Sequence, residues 1–264
     1  MEVIQLLDKA NRELGRLDMY SEYIPNIELF IGMYVLKQAT LSSRIEGTQT
    51  NIEEALLTAE EVSPEKPNDW EEVRNYIGAM ERAIGLLDDL PFSSRLIRQT
   101  HATLMQGVRG ERKMPGEFRR SQNWIGGSNI QNALFVPPIH HEVEALMGDL
   151  ENFAHADTYY FPELLRIALI HYQFETVHPF LDGNGRVGRL MIALYLVSKK
   201  ILKRPVLYLS DFLERNRTLY YDNLMRVREK DDIGHWFKFF LAGVIETAQK
   251  GNVGDASIFN FFQY

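Results

Sequence analysis

The chain has 264 residues, of which 45% are hydrophobic and 25% charged, and these are the proportions of an ordinary soluble globular protein. Its formal net charge of −7 argues against general affinity for nucleic acid, so we expect any phosphate chemistry to be confined to one site. The lack of cysteine excludes disulfides and thiol catalysis, and the sequence has no run apolar enough to span a bilayer and no signal peptide at its start. These features predict a cytoplasmic protein without a membrane partner.

The first sixty residues are predicted to be helical. Residues 1–22 carry leucine and isoleucine at helical spacing, and a second, largely helical stretch runs from about Pro25 to Glu61. In the middle of that stretch lies Ser42-Ser43-Arg44-Ile45-Glu46-Gly47. Taken alone, a glutamate on a predicted helix is most often simply solvated.

A polar turn with two prolines at residues 62–69 is the predicted boundary of this region. We therefore assign residues 1–65 to an N-terminal helical region and residues 66–250 to a core domain. Two core helices are predicted between the turn and residue 107. A basic loop follows them and ends in Pro115-Gly116-Glu117-Phe118-Arg119, and a charge run of this kind is usually solvated.

Residues 122–136 form the one predicted β segment, which we call the hairpin segment. Asn123, Trp124 and Ile125 precede the turn Gly126-Gly127-Ser128-Asn129, and the chain returns through Ala133 to Val136 before Pro137-Pro138. An isolated hairpin is barely stable in water, so it has to pack against the helical body. A plain connecting hairpin is the simplest interpretation.

The densest polar chemistry follows in His178-Pro179-Phe180-Leu181-Asp182-Gly183-Asn184-Gly185-Arg186-Val187-Gly188-Arg189, here called the motif. Apolar residues recur at helical spacing on both sides, which predicts one helix ending near Val177 and another beginning near Arg186. The glycine turn between them, residues 182–185, is therefore a helix N-terminus. Gly183 and Gly185 can take positive φ, so consecutive backbone N–H groups can converge on an anion that the helix dipole also favours.

Charged side chains around the glycine turn indicate a metal–nucleotide site with a base. Arg186 and Arg189 share a helix face, and their guanidinium forks match phosphate oxygens, which suggests a polyphosphate. Asp182 would repel bare phosphates unless it held a bridging cation, and Mg²⁺ favours one or two carboxylates plus phosphate oxygens. His178 has an unperturbed pKa of about 6.5, which suits general-base work near neutrality.

The twelve residues match the Fic motif, His-Pro-Phe-x-Asp/Glu-Gly-Asn-Gly-Arg-x-x-Arg, at every specified position, and the chain resembles the Fic family over about residues 30–250. The resemblance implies an all-α Fic fold, a helical bundle around the motif with one β-hairpin flap. It also implies protein adenylyltransferase activity. AMP from ATP would pass to a serine, threonine or tyrosine hydroxyl of a target protein, and of the enzyme itself, with release of pyrophosphate.

The resemblance implies a role for each matched position. His178 would be the base, Asp182 the ligand of Mg²⁺, and Arg189 the partner of the γ-phosphate. The nucleotide-binding residues would be Asp182, Gly183, Asn184, Gly185, Arg186, Gly188, Arg189, Ile125, Gly126, Gly127, Ser128, Tyr220 and Tyr221. The two tyrosines would border the adenine, with core tyrosines as the alternative. Arg228 stands where some relatives carry an asparagine that contacts the base.

A second family pattern, the inhibitory Ser/Thr-x-x-x-Glu-Gly/Asn, fits Ser42, Glu46 and Gly47. In the subclass that carries it before the core, the glutamate reaches the second arginine of the motif, here Arg189. That contact would take the partner of the γ-phosphate and hold ATP in an unproductive pose. The resemblance further implies that the hairpin segment aligns an extended part of the hydroxyl-bearing target protein beside the base.

Beyond the motif, helices are predicted from Ser210-Asp211 to about Glu229 and from about Ile233 to Lys250. Residues 251–264 are interpreted as a linker and an apolar tail, which either docks or begins a missing module. Similar Fic proteins often continue into a winged helix, and only such a module would bring in nucleic acid. A homodimer remains open.

Two rival functions also remain open at this point. One is a Fic relative that uses another nucleotide donor, such as UTP, or that runs the reverse reaction and removes AMP. The other is a non-catalytic nucleotide-binding regulator.

Overall fold

Eleven α-helices account for most of the described part of the computed structural model, which covers residues 2–49, 51–58, 61, 67–107, 113–158 and 160–252. In chain order they are α1 (Val3–Ser21), α2 (Ile27–Ile45), α3 (Ile52–Leu56), α4 (Pro67–Leu86), α5 (Ser94–Leu104), α6 (Val143–His155), α7 (Glu163–Val177), α8 (Asn184–Ser198), α9 (Ser210–Arg215), α10 (Arg217–Lys230) and α11 (Ile233–Asn252). The predicted all-α class is confirmed. No helix among these described residues is both long and apolar enough to cross a membrane.

Three predicted segments fall wholly or partly outside the described residues. They are the polar turn at 62–66, the start of the basic loop at 108–112 and the apolar tail from residue 253 onward.

The helices on either side of the motif form the centre of the core. Nearly every side chain of α8 from Val187 to Leu196 is buried, and a helix that is apolar on all sides has to be enclosed by others. α8 packs on α7 and also contacts α2, α4 and α5. Trp236 of α11 is buried, and its indole N–H donates to the carbonyl of Ala168 on α7 at 2.8 Å. The motif loop is therefore carried by two packed helices, of which α8 is enclosed by its neighbours.

The first and last helices pack along each other. Leu14 and Leu17 of α1 are buried against the core, and a Cβ placed on Gly251 of α11 would lie 2.6 Å from the Cδ1 of Leu17. α2 meanwhile packs against α4 and α9 and reaches α8. The N-terminal helices thus pack directly on the helices that carry the motif.

The helical stretch predicted from about Pro25 to Glu61 is in fact two helices. α2 begins after Asn26, whose side chain accepts the backbone N–H of Leu29 at 3.1 Å. It ends at Ile45, with Glu46 as the C-cap and Gly47 at a φ of +107°, a value that only glycine adopts readily. The segment Ser42–Gly47 therefore lies at the end of a helix and not in its middle.

The hairpin segment has less β structure than predicted. Within the described residues it is closed by a single antiparallel bridge, in which the N–H of Ile125 donates to the carbonyl of Phe135 at 2.9 Å and Phe135 donates back at 3.1 Å. Beyond the bridge, Asn129 caps a short 3-10 turn at Ile130–Asn132. Because asparagine side chains satisfy the backbone here, the chain forms a loop and no strand ladder.

Two helix boundaries also differ from the predictions. α8 begins at Asn184, which puts Gly185 inside the helix. The helix predicted from Ser210 to about Glu229 is broken at Asn216, which ends α9 and precedes α10.

Candidate active site

His178 ends α7 in a left-handed conformation, with a φ of +49° and a ψ of +60°. Such a conformation is uncommon for a residue other than glycine and persists only where the surroundings fix it. Arg119 supplies this restraint, because its Nε donates to the carbonyl of His178 at 3.0 Å and its guanidinium also reaches the carbonyl of Val177 at 3.3 Å. Its backbone N–H donates to the carbonyl of Pro179 at 2.8 Å. The buried arginine thus holds the backbone that carries the imidazole.

The imidazole of His178 is mostly buried. Burial lowers its pKa to about 4, so the ring is neutral at pH 7 and can accept a proton. Its Nδ1 has no hydrogen-bond partner within the described part of the chain, and the nearest carboxylate oxygen there is Oε2 of Glu175 at 4.0 Å.

The two glycines of the glycine turn have different structural roles. Gly183 is the N-cap of α8 with a φ of +74°, and its N–H donates to the Oδ1 of Asp182 at 2.6 Å. Gly185 is not among the glycines with positive φ, so that part of the prediction is wrong for it. Its lack of a side chain matters for another reason, because a Cβ there would collide with the Oε1 of Glu46.

Asn184 serves the loop itself. Its Oδ1 accepts the N–H of Phe180 at 2.8 Å, and its Nδ2 donates to the carbonyl of the same residue at 2.9 Å. The side chain is buried, and both ends of its amide are used by these two bonds. Asn184 therefore shapes the turn, and the phosphate contact that the resemblance implied for it stays a prediction.

Arg186 and Arg189 are both buried, and each forms an ion pair with a carboxylate from an earlier part of the chain. An Arg186 nitrogen lies 3.1 Å from Oε2 of Glu72 on α4 and another lies 3.8 Å from Oδ1 of Asp182. An Arg189 nitrogen lies 2.6 Å from Oε1 of Glu46. The structure therefore brings Glu46 onto the arginine that the family pattern specified.

Ser42 adds to the contact at Arg189. Its Oγ accepts a hydrogen bond from the Nε of Arg189 at 2.8 Å, and its backbone carbonyl accepts a second one at 2.9 Å. Desolvation alone would raise the pKa of Glu46, but the adjacent Arg189 outweighs it and holds that pKa below its ordinary value. The pair is accordingly ionised near neutrality, and a buried guanidinium requires such a partner.

The hairpin segment is anchored to the motif loop at its base. The Nδ2 of Asn123 donates to the carbonyls of His178 at 3.3 Å and Phe180 at 3.0 Å. Ile125 is half-buried at the bridge, whereas Gly126, Gly127 and Ser128 are exposed beyond it. The N–H of Ser128 donates to the side chain of Asn132 at 2.9 Å. This exposed turn leaves the side of the motif loop open.

The two candidate adenine residues lie in different surroundings. Tyr220 is buried, and its hydroxyl lies 2.8 Å from Nε2 of His171, whose Nδ1 lies 2.9 Å from the carbonyl of Gly188. Burial lowers the pKa of His171 to about 4, so this ring is neutral and donates from Nδ1 to the carbonyl. Tyr220 is therefore a core tyrosine here, while Tyr221 is exposed.

Gly188 lies on α8 where that helix faces α7, away from the glycine turn. A Cβ there would lie 2.5 Å from the Oε1 of Glu175 and 3.2 Å from the ring of Phe174. Its close approach to α7 explains why no side chain fits at this position.

Several residues that hold the site together were not singled out from the sequence. They are Glu72, His101, Arg119, Asn123 and Glu175. His101 is the clearest example, because its Nδ1 accepts the N–H of Gly116 at 2.8 Å and its Nε2 lies 3.1 Å from the carbonyl of Asp182. Its ring also stacks on Phe180 with the centroids 3.7 Å apart. The one local signal was the Pro-Gly-x-Phe-Arg stretch, which supplies both Gly116 and Arg119.

The residues around the turn fit Mg²⁺ only together with a phosphate ligand. Across the described ranges, no group of three or more His, Asp or Glu side chains could hold a metal unaided. Asp182, however, has a half-exposed carboxylate beside the N-terminus of α8. One carboxylate is enough when phosphate oxygens and water complete the octahedron of Mg²⁺.

Two family models match the sequence. The model described as Fic/DOC family N-terminal matches residues 4–85, and the model described as Fic/DOC family matches residues 91–196. Together they span more than half of the chain.

Two curated relatives match part of the chain. The protein adenylyltransferase Fic of Aedes aegypti is 33% identical over 117 residues, which are 44% of this chain and 21% of that protein. Its counterpart in Drosophila melanogaster is 31% identical over 127 residues, which are 47% of this chain and 23% of that protein. The match thus spans less than a quarter of the length of these relatives.

Two crystal structures resemble the whole chain in fold. A Fic family protein from Desulfovibrio desulfuricans superposes with a TM-score of 0.78 at 22% identity, covering 96% of this chain and 74% of that one. A Fic domain containing signaling protein from Bacteroides thetaiotaomicron gives a TM-score of 0.75 at 18% identity, covering 93% and 97%. At these identities the likeness establishes the fold.

Proposed function

Because this chain belongs to the Fic/DOC family, we propose that it is a protein adenylyltransferase, which transfers AMP from ATP to a hydroxyl side chain of a target protein and of itself. The observation that carries the proposal is the convergence of His178, Asp182 and two buried arginines on the N-terminus of α8. The curated relatives that match part of the chain are themselves named protein adenylyltransferases.

His178 would act as the general base. Alcohol hydroxyls are very weak acids, and even a tyrosine phenol has a pKa of about 10, so the attacking oxygen has to lose its proton as it reacts. The neutral imidazole takes that proton on Nε2. The hydroxyl oxygen then forms a bond to the α-phosphorus, and the bond from that phosphorus to the bridging oxygen breaks. Its electron pair leaves with pyrophosphate.

The N-terminus of α8 would hold the phosphates. Its first backbone N–H groups have no intrahelical partner, and the helix dipole adds positive potential at the same place. Arg189 contributes its guanidinium group once Glu46 yields to phosphate, and Arg186 contributes the guanidinium donors that its ion pair with Glu72 leaves available. Mg²⁺ held by Asp182 would supply further positive charge to neutralise the phosphate oxygens.

Glu46 would hold the enzyme inactive. Its carboxylate binds Arg189 and lies against Gly185, which is the position that an anion on the α8 N-terminus would take. Two anions in that place repel each other, so a γ-phosphate and the Glu46 carboxylate exclude one another. We infer that ATP can bind productively only after the end of α2 moves away.

A labelling experiment in a Glu46→Gly background tests the activity without the inhibitory contact. The protein is incubated with Mg²⁺ and ATP labelled at the α-phosphate, and transfer to itself is measured. We expect His178→Ala to lower transfer by roughly 10²-fold or more, because that is the contribution of a general base, while calorimetry still detects ATP binding. Asp182→Ala should reduce activity and abolish the effect of Mg²⁺ on binding. The control His141→Ala, an exposed histidine, should transfer normally.

The outcomes separate the alternatives. Labelling from UTP in place of ATP would assign a different donor to the same site. Release of AMP from a labelled protein would assign the reverse reaction. ATP binding with no covalent label in any variant would contradict catalysis and favour a nucleotide-binding regulator.

A further inference from the structure

A buried carboxylate that the proposed reaction does not use lies beside the proposed base. Glu175 occupies the last turn of α7 and its side chain is 9% exposed. Its Oε1 has no hydrogen-bond partner in the described part of the protein. Burial raises the pKa of Glu175 to about 7, against the opposing effect of Arg189. A polar group left in this state destabilises the fold, so its presence calls for an explanation in function.

The geometry relates Glu175 to His178. The two residues are three apart, and the Oε2 of Glu175 lies 4.0 Å from the Nδ1 of His178. That nitrogen is itself buried and makes no hydrogen bond of normal geometry within the described residues, while the backbone carbonyl of Glu175 lies close enough to oppose the lowering of the imidazole pKa. A nitrogen–oxygen hydrogen bond spans about 2.9 Å, so a movement of about 1 Å would satisfy the imidazole.

We propose that Glu175 is a positioning residue for His178, whose Nδ1–H donates to the Glu175 carboxylate when substrate and nucleotide fill the site. This inference rests on the proposed function. A proton held on Nδ1 leaves the lone pair on Nε2, which is the atom that has to accept the hydroxyl proton. After the transfer the imidazolium carries a proton on both nitrogens, and the adjacent carboxylate stabilises its charge.

Neighbouring residues hold this arrangement in place. Arg228 donates to the backbone carbonyl of Glu175 at 3.1 Å and to the Oγ1 of Thr176 at 3.2 Å, so it fixes the last turn of α7. Gly188 leaves the space that the Glu175 carboxylate occupies, since a Cβ there would lie 2.5 Å from Oε1. Gly188 of the motif thus leaves room for the Glu175 carboxylate, and Arg228 of α10 holds the backbone of the same residue.

The charged and titratable groups that act on Glu175 come from four elements. They are Arg189 of α8, Arg228, Tyr220 and Tyr221 of α10, Glu46 at the end of α2, and His178 itself. The carboxylate accepts a hydrogen bond from Nδ1–H most strongly when it is ionised. Transfer in the Glu46→Gly background should therefore increase as the pH rises through the pKa of Glu175, which lies lower there than with Glu46 in place, and Glu175→Gln should lack this step.

The test reads the tautomer of His178 directly, by long-range ¹⁵N–¹H NMR of histidine-labelled protein in the Glu46→Gly background with Mg²⁺ and a non-hydrolysable ATP analogue. His178→Ala identifies the signal. We expect Nδ1 to be protonated in the parent protein and in Glu175→Gln, and Glu175→Ala to shift His178 toward the other tautomer. Glu163→Gln is the matched control, because Glu163 lies on the same helix and its carboxylate contacts Tyr195 and Arg166 instead.

Kinetics complete the test. For Glu175→Ala we expect kcat to fall roughly 10-fold or more, a part of what a general base contributes, with the KM for ATP unchanged. Glu175→Gln keeps the shape of the side chain and should fold even if the alanine variant does not. An unaltered His178 tautomer in Glu175→Ala, or a Glu175→Gln variant with the parent pH profile, would overturn the inference. The NMR result is obtained whether or not AMP is transferred, so failure of the proposed function is a separate outcome.

Discussion

The two arginines of the motif form ion pairs that look alike and are built differently. Glu72, the partner of Arg186, lies within α4, and its side chain is 21% exposed. Glu46, the partner of Arg189, is the C-cap of α2, and its side chain is 36% exposed. α4 packs along α5 and α2, whereas α2 ends one residue before Glu46 at a turn that requires glycine. The Arg186–Glu72 pair lies within the packed helices of the core. The Arg189–Glu46 pair lies at the end of a helix, where the chain can move.

This difference between the two ion pairs indicates which of them can act as a regulatory contact. A carboxylate in the body of a packed helix cannot leave its arginine without disturbing the helix, whereas a helix terminus can fray at low cost in free energy. The two pairs should therefore respond oppositely to the removal of their carboxylates.

Glu46→Gly should have the largest effect and should increase activity. If about 1% of molecules have the Glu46–Arg189 pair broken, the closed state is favoured by roughly 2.7 kcal/mol, and removing the carboxylate raises AMP transfer up to about 100-fold. Self-labelling with ATP measures this. Arg44→Gly is the control, because it weakens the same helix turn at an exposed position. Equal labelling of the wild-type protein and Glu46→Gly would end the inhibitory interpretation.

Glu72→Gln should act in the opposite direction. It leaves the buried Arg186 without its partner, which we expect to lower the free energy of unfolding by about 2 kcal/mol and the melting temperature by about 5 °C, with no gain in transfer. Thermal unfolding beside the labelling assay measures both effects. Glu81→Gln, on an exposed face of the same helix, should change neither. A Glu72 variant activated as strongly as Glu46→Gly would remove the distinction between the pairs.

Glu175 sharpens the comparison, because it is a second carboxylate whose pKa depends on Arg189. Its folded-state pKa of about 7 exceeds the ordinary value of 4.5, so the folded state retains this proton between those pH values while the unfolded state loses it. Its contribution to stability is thus full below pH 4.5 and is lost as the pH rises through 7. Relative to the wild-type protein, Glu175→Gln should gain about 2–3 kcal/mol in unfolding free energy between pH 5 and pH 8. Urea titrations at both pH values check this, and an equal difference at both would contradict it.

Ser42→Ala should give the smallest effect. It removes one hydrogen bond to a charged guanidinium, worth about 1 kcal/mol, and leaves the carbonyl of Ser42 and Glu46 in place. Transfer should therefore rise about fivefold. Ser43→Ala is a close control, since the Oγ of Ser43 is buried without a hydrogen-bond partner in the described residues. Activation by Ser43→Ala to the same extent would show that any loosening of α2 suffices.

Local patterns predicted the helices around the motif and the helix N-terminus between them. The spacing of apolar residues and the position of the glycines determine the structure within a few residues of the chain, so these features can be read from a short stretch of sequence. The hairpin segment was overestimated, since Asn129 and Asn132 satisfy the backbone in a way that alternation does not reveal. The contacts of Asn184 with the backbone of Phe180 give this residue a structural role that the motif alone does not reveal.

The restraints on the base were beyond sequence reasoning for a different reason. Arg119, Asn123 and His101 come from parts of the chain far from the motif and meet it only in three dimensions. Apart from the Pro-Gly-x-Phe-Arg stretch that contains Arg119, no pattern in the sequence distinguishes these residues from surface residues. Tyr220 is buried in this structure, and its contact with adenine stays a prediction.

Gly185 has a consequence for how this protein can evolve. Its missing side chain leaves one small space at the start of α8, and in this structure the Glu46 carboxylate occupies it. Any larger residue at that position would collide with the Glu46 carboxylate. Under the proposed function it would also collide with a bound phosphate, so inhibition could not be relieved at Gly185 without loss of the substrate. Inherited changes in the strength of inhibition should accumulate on the α2 side of the contact.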